Sequence, residues 1–148
     1  MVTEFAFSKA EKSKSKLRLA IFGPAGAGKT YSSLSMAKGM GGKTALIDTE
    51  FGSASKYADR FEFDTLILKE PTVENMVKSI NAAALYDVLV IDSLSHSWRE
   101  LLQQVDQLAK AKYRGNTWSA WSEGTPLQND MVEALLSFPG HIIASMRV

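Results

Sequence analysis

Hydrophobic positions change their period several times along the chain, and each change predicts an element. Leu17, Leu19 and Ile21 alternate with Arg18 and Ala20 and run through Phe22 into a glycine cluster, which predicts a first strand from Leu17 to Phe22. From Lys29 to about Met40 the period lengthens, with Leu34, Ala37 and Met40 at helical spacing and Gly41-Gly42 as the stop signal. Thr44 to Asp48 reads as a second strand. Residues 51–60 read as a loop with a short helix around Ala54 to Ala58, and Thr65 to Leu68 as a third, short strand. Pro71 and Thr72 then open a helix in which Val73, Met76, Val77, Ile80 and Ala84 form one apolar stripe.

Val88-Leu89-Val90-Ile91 does not alternate at all, as expected of a strand covered on both faces, and this fourth strand ends at Asp92. Trp98, Leu101, Leu102, Val105, Leu108 and Ala109 recur every three or four positions and predict a helix from about Ser97 to Lys112. The polar, glycine-containing stretch Tyr113 to Thr125 reads as a loop. Pro126 then starts a helix with Leu127, Met131, Ala134, Leu135 and Phe138 on one face, which Pro139-Gly140 stops before a fifth strand at Ile142-Ile143-Ala144. Strands alternating with helices predict an α/β fold with a parallel sheet and helices on both faces.

Composition narrows the function classes. The 148 residues suit one domain, and 45% hydrophobic with 22% charged residues excludes disorder of the whole chain. Seventeen basic against sixteen acidic residues leave a net charge of +1, so any basic surface for nucleic acid must be local. With no cysteine there is no disulfide, thiolate nucleophile or Cys-type zinc site, which suits a reducing cytoplasm, and two histidines alone make a poor structural zinc site. No apolar run is long enough to span a bilayer, and Met1 to Ala10 holds no signal-peptide segment, so a cytoplasmic protein without a membrane partner is expected. Ser8 to Lys16, SKAEKSKSK, reads either as a solvated lead-in or as a phosphate-binding arm. The expected organisation is a polar lead-in over residues 1–16 and one core over 17–148.

The first strand runs into Gly23-Pro24-Ala25-Gly26-Ala27-Gly28-Lys29-Thr30, which satisfies G-x-x-x-x-G-K-[ST] in the strand-to-helix setting the motif requires. Gly26 and Gly28 let the backbone curl around a phosphate with its N–H groups inward. Lys29 places a cation on the terminal phosphates and serves catalysis. Thr30 offers a hydroxyl to Mg²⁺, and Tyr31 closes the nucleotide-binding run. The expected ligands are therefore ATP and Mg²⁺. Asp92, at the end of a buried strand, is the second metal-side candidate; the competing role is a cap for the following helix.

Hydrolysis needs one more group to orient or deprotonate water. Asp92 is followed by Ser93, so an acid paired directly behind it is absent. The second strand ends in Asp48-Thr49-Glu50, and parallel strands present their C-terminal ends to one crevice, which makes Glu50 the candidate against the alternative of a solvent-exposed loop glutamate.

GPAGAGKT, ALIDTE and VLVIDS in this order, followed by helices and HIIASMRV, resemble the ATPase core of RecA-like proteins, particularly the small phage-encoded ones implicated in recombination and strand annealing. The resemblance covers Leu17 to Val148 and implies a three-layer P-loop fold with strand order 3-2-4-5-1. It implies that Glu50 activates the attacking water. It also implies a polar sensor at the end of the last strand, where glutamine is usual and this chain has Ser145 and Met146, so Ser145 is the candidate sensor. Further strands normally follow, so a truncated core is expected.

The stretch after the Ser97 to Lys112 helix carries Arg114, Trp118 and Trp121, with Lys110 and Lys112 just before it. Aromatics interleaved with cations suit single-stranded DNA, and RecA-like proteins have a DNA-facing loop in the equivalent place; the alternative is that both tryptophans pack on protein. Ser93 to Ser97 with His96 lacks a nucleophile elbow and does not suggest a hydrolase triad. Candidate partners are a nucleotide, single-stranded DNA and a second copy of the chain. Two rival functions stand beside a DNA-acting ATPase. A small-molecule or nucleotide kinase would need an arginine-bearing lid, and none is evident; a nucleotide-dependent binding or assembly module would show little hydrolysis.

Overall fold

The computed structural model describes residues 5–12 and 15–148. Ser13 and Lys14 of the lysine-serine stretch, and residues 1–4, lie outside the described residues. The elements are β1 (Arg18–Gly23), α1 (Lys29–Met40), β2 (Thr44–Asp48), a 3₁₀ turn (Ser53–Tyr57), β3 (Asp64–Ile67), α2 (Val73–Ala82), β4 (Val88–Asp92), α3 (Ser95–Lys112), α4 (Thr117–Ser137) and β5 (His141–Arg147). All five strands are parallel in the order β1-β5-β4-β2-β3, which is the expected 3-2-4-5-1 counted from the other edge.

Side chains of the central strands alternate between two cores, which is why Val88-Leu89-Val90-Ile91 of β4 is apolar without alternation. Leu89 and Ile91 of β4, Ala45 and Ile47 of β2, and Ile142 and Ala144 of β5 pack under α2, α3 and α4. Val88, Val90, Leu46 and Ile143 point the other way, toward Leu34 and Ala37 of α1 and Ala54 of the 3₁₀ turn. The result is three layers, helix on sheet on helix. Among the described residues no helix is long and apolar enough to cross a membrane.

The expected loop from Tyr113 to Thr125 is corrected by the structure. It shrinks to a turn, and α4 begins at Thr117 and carries Pro126 inside it. Arg114 and Gly115 take positive φ, and Gly115 donates to the Ala109 carbonyl at 2.8 Å, which ends α3. Asn116 then caps α4 by accepting from the Ser119 N–H at 3.2 Å. Buried Ala120 and Gly124 pack the new helix into the core. Pro126 is tolerated because the carbonyl it leaves without a partner, that of Ser122, belongs to an exposed residue and can be hydrated. Packing of small residues thus overrides local breaker signals. Smaller boundary shifts put the start of α3 at Ser95 and β3 at Asp64–Ile67.

Candidate functional site

Register aligns the chemistry before any side chain is considered. Asp48 lies opposite Asp92, and Asp92 opposite Ser145, so β2, β4 and β5 end in one row of polar residues. Two positions further along β5, Arg147 lies opposite Gly23, the first residue of the glycine-rich loop.

That loop, Gly23 to Gly28, turns into α1 through Gly26 at φ 80° and Gly28 at φ 88°. A methyl group at either position would meet no protein atom within 4 Å, so the glycines are required by backbone conformation and not by crowding. Pro24, Ala25 and Ala27 complete an exposed loop. Lys29 folds across it, its Nζ donating to the Pro24 carbonyl at 2.7 Å. Tyr31, half exposed, packs edge-on against Tyr57 and Phe61.

Thr30 Oγ1 donates to Asp92 Oδ2 at 2.6 Å, and Ser145 Oγ donates to Asp92 Oδ1 at 2.8 Å. Asp92 is only 3% exposed, and both its oxygens meet hydroxyls. Thr30 and Asp92 are hard oxygen donors brought together at the start of a helix. They fit Mg²⁺, which binds through one or two protein groups and otherwise through phosphate oxygens and water. No group of three or more His, Asp or Glu side chains that could cage a metal occurs among the described residues.

The turn after β2 is shaped by Asp48, which is fully buried and accepts from the Glu50 N–H at 2.7 Å and the Ala54 N–H at 3.3 Å. Those bonds turn the Glu50 side chain inward, where it is 12% exposed. Its Oε2 pairs with Arg147 Nη2, and its Oε1 lies 4.0 Å from His96 Nδ1. His96 Nδ1 is also 2.8 Å from Thr49 Oγ1, which bridges to the Ser93 carbonyl at 2.9 Å and accepts from the Ser93 N–H at 2.8 Å. One hydroxyl proton cannot serve both the Ser93 carbonyl and His96, so a Thr49 that donates to Ser93 leaves the proton on His96 Nδ1. Thr49 and Arg147 were not among the expected site residues. A period of two from Ser145 was the signal that could have found Arg147.

The expected DNA residues differ in their partners and exposure. Lys110 pairs with Asp106 at 3.0 Å, and Lys112 with Glu123 at 3.3 Å. The Tyr113 hydroxyl first, and Lys112 after it, hold the Glu123 carboxyl below its ordinary value. Arg114 is exposed in the turn. Trp121 is partly buried and stacks on Trp98, centroids 6.0 Å apart, whereas Trp118 is 87% exposed. Together with Ser122, Thr125 and Gln128, the three tryptophans line a cleft of about 540 Å³.

No match is found among curated proteins. The model of a family described as an AAA domain matches residues 15–148. That span takes in the glycine-rich loop, the acids ending β2 and β4, and all of β5, and the chain accordingly belongs to this AAA domain family, as a nucleotide-binding P-loop ATPase domain.

Proposed function

We propose that this domain is a Mg²⁺-dependent ATPase that acts on DNA in recombination or strand annealing, of the kind small phages encode for work in the host cytoplasm. The observation that carries the ATPase reading is the Thr30–Asp92 bond of 2.6 Å at the start of the helix after the P-loop, with Glu50 just past the end of β2, the strand beside that of Asp92. Loop N–H groups and the positive end of α1 would receive the phosphates. Lys29, released from the Pro24 carbonyl, neutralises charge on the terminal phosphate. Thr30 and Asp92 would hold Mg²⁺, which would supply further charge neutralisation on the phosphate oxygens. Glu50 accepts a proton from water as the water oxygen bonds to the γ-phosphorus and the bond to the β-phosphate oxygen breaks, giving ADP and phosphate.

For DNA, Trp118 offers an exposed stacking face and Arg114 an exposed cation beside the same turn. A second reading, a nucleotide-dependent binding or assembly module with little turnover, is favoured by the ion pair that occupies Glu50. ATP turnover measured with and without single-stranded DNA separates the readings. Turnover stimulated by DNA supports the first, nucleotide binding without turnover supports the second, and transfer of phosphate to a small acceptor would replace both with a kinase.

A further inference from the structure

Ser145 and Arg147 leave β5 on the same face, two positions apart. Ser145 is fully buried and gives its hydroxyl to Asp92, the metal-side acid. Arg147 reaches the other acid, Glu50, on the water side. Its backbone is held by its N–H donating to Ser95 Oγ at 2.8 Å, and its neighbour Val148 donates to the Gly23 carbonyl at 3.3 Å. The Arg147 backbone is therefore anchored beside the first residue of the P-loop while its guanidinium lies at Glu50, with the arginine side chain 36% exposed and that of Glu50 12% exposed.

A carboxylate oxygen engaged by a guanidinium is poorly available to a water proton. A terminal phosphate carries more charge than a carboxylate and presents three oxygens to the planar fork of an arginine. We propose that Arg147 is the nucleotide-state sensor of this site, a positioning residue that clamps Glu50 until a γ-phosphate draws it away and frees the carboxylate for water. This rests on Glu50 being the base. ADP lacks the γ-phosphate and leaves the clamp closed, so the preference of the open state for ATP comes from this one exchange of partners.

The test is a double-mutant cycle read by titration calorimetry on the full chain, with a non-hydrolysable ATP analogue and separately with ADP, both in excess Mg²⁺. Glu50→Gln weakens the clamp and should tighten the ATP analogue by about fivefold while leaving ADP unchanged. In the Arg147→Met background, Glu50→Gln should change neither affinity. If Glu50 acted only by repelling the phosphate, its removal would tighten the analogue equally or more without Arg147, and that result overturns the proposal. Unchanged ADP affinity in all four proteins reports an intact site; should Arg147→Met lose it, Arg147→Gln takes its place in the cycle and is judged by the same criterion. Hydrolysis that persists in Glu50→Gln would remove the base but leave the cycle readable, so the two failures are distinguishable.

Discussion

Replacing Gly124 with alanine sets two effects of known size against each other. Inside α4, alanine is favoured over glycine by about 0.8 to 1 kcal/mol of helix propensity. A methyl group at this position would lie 2.5 Å from Val105 Cγ2 and 2.8 Å from Trp121 Cε3. No real contact is that short, so α3 and α4 must part or Trp121 must turn off its stack on Trp98. Overpacking of this kind costs about 1 to 3 kcal/mol, and the aromatic pair adds about 0.5 to 1.5 kcal/mol if it is lost. Sterics win, with an expected net loss of about 1 to 2 kcal/mol. Gly39, near the end of α1, is the matched control: its methyl meets nothing within 4 Å, so Gly39→Ala should gain about 0.5 kcal/mol. Urea denaturation followed by tryptophan fluorescence and far-ultraviolet circular dichroism gives both signs from midpoints at constant m. A Gly124→Ala protein as stable as the unmodified chain would refute the close approach of α3 and α4.

Three further outcomes are expected. Arg18 donates to the carbonyls of Leu135 at 2.7 Å, Gly140 at 2.6 Å and Leu136 at 3.2 Å, so it supplies the donors at the end of α4, and Arg18→Met should cost about 1 to 2 kcal/mol in the same urea assay. Mg·ATP at 100 times its dissociation constant should stabilise the fold by about 2.7 kcal/mol, raising the melting midpoint by roughly 5 to 10 °C, and Lys29→Ala should abolish most of that shift. Trp118→Ala should leave stability within about 0.5 kcal/mol and weaken single-stranded DNA binding, measured by anisotropy, by about 1 to 3 kcal/mol, whereas Trp121→Ala should destabilise the fold; equal DNA affinity for Trp118→Ala would remove that ring as a contact.

What could be read from the residues followed the range of the interactions involved. The P-loop and the run into Asp92 are local: strand, turn and helix signals lie side by side, and the geometry they require follows from a short stretch of chain. Gly26 and Gly28 announce positive φ by being glycine. The first half of α4 was not legible, because Gly115, Gly124 and Pro126 all argue against a helix until Ala120 and Gly124 find α3 across the turn. Likewise the partner of Glu50 lies 97 positions away, and nothing in the neighbourhood of either residue marks the pair. Trp98, read as one member of an apolar stripe, meets Trp121 only through tertiary packing. Sheet order was accessible only through the RecA-like resemblance, since periodicity alone does not rank parallel strands.

The role proposed for Glu50 is to act on water at a Mg·ATP site built from the P-loop, Thr30 and Asp92. Single-turnover hydrolysis of ATP by the unmodified chain and by Glu50→Gln, with ADP affinity measured on both, tests it most directly. The hydrolysis rate should fall by about 10² to 10⁴ with ADP affinity unchanged. Hydrolysis at the same rate in Glu50→Gln would contradict it.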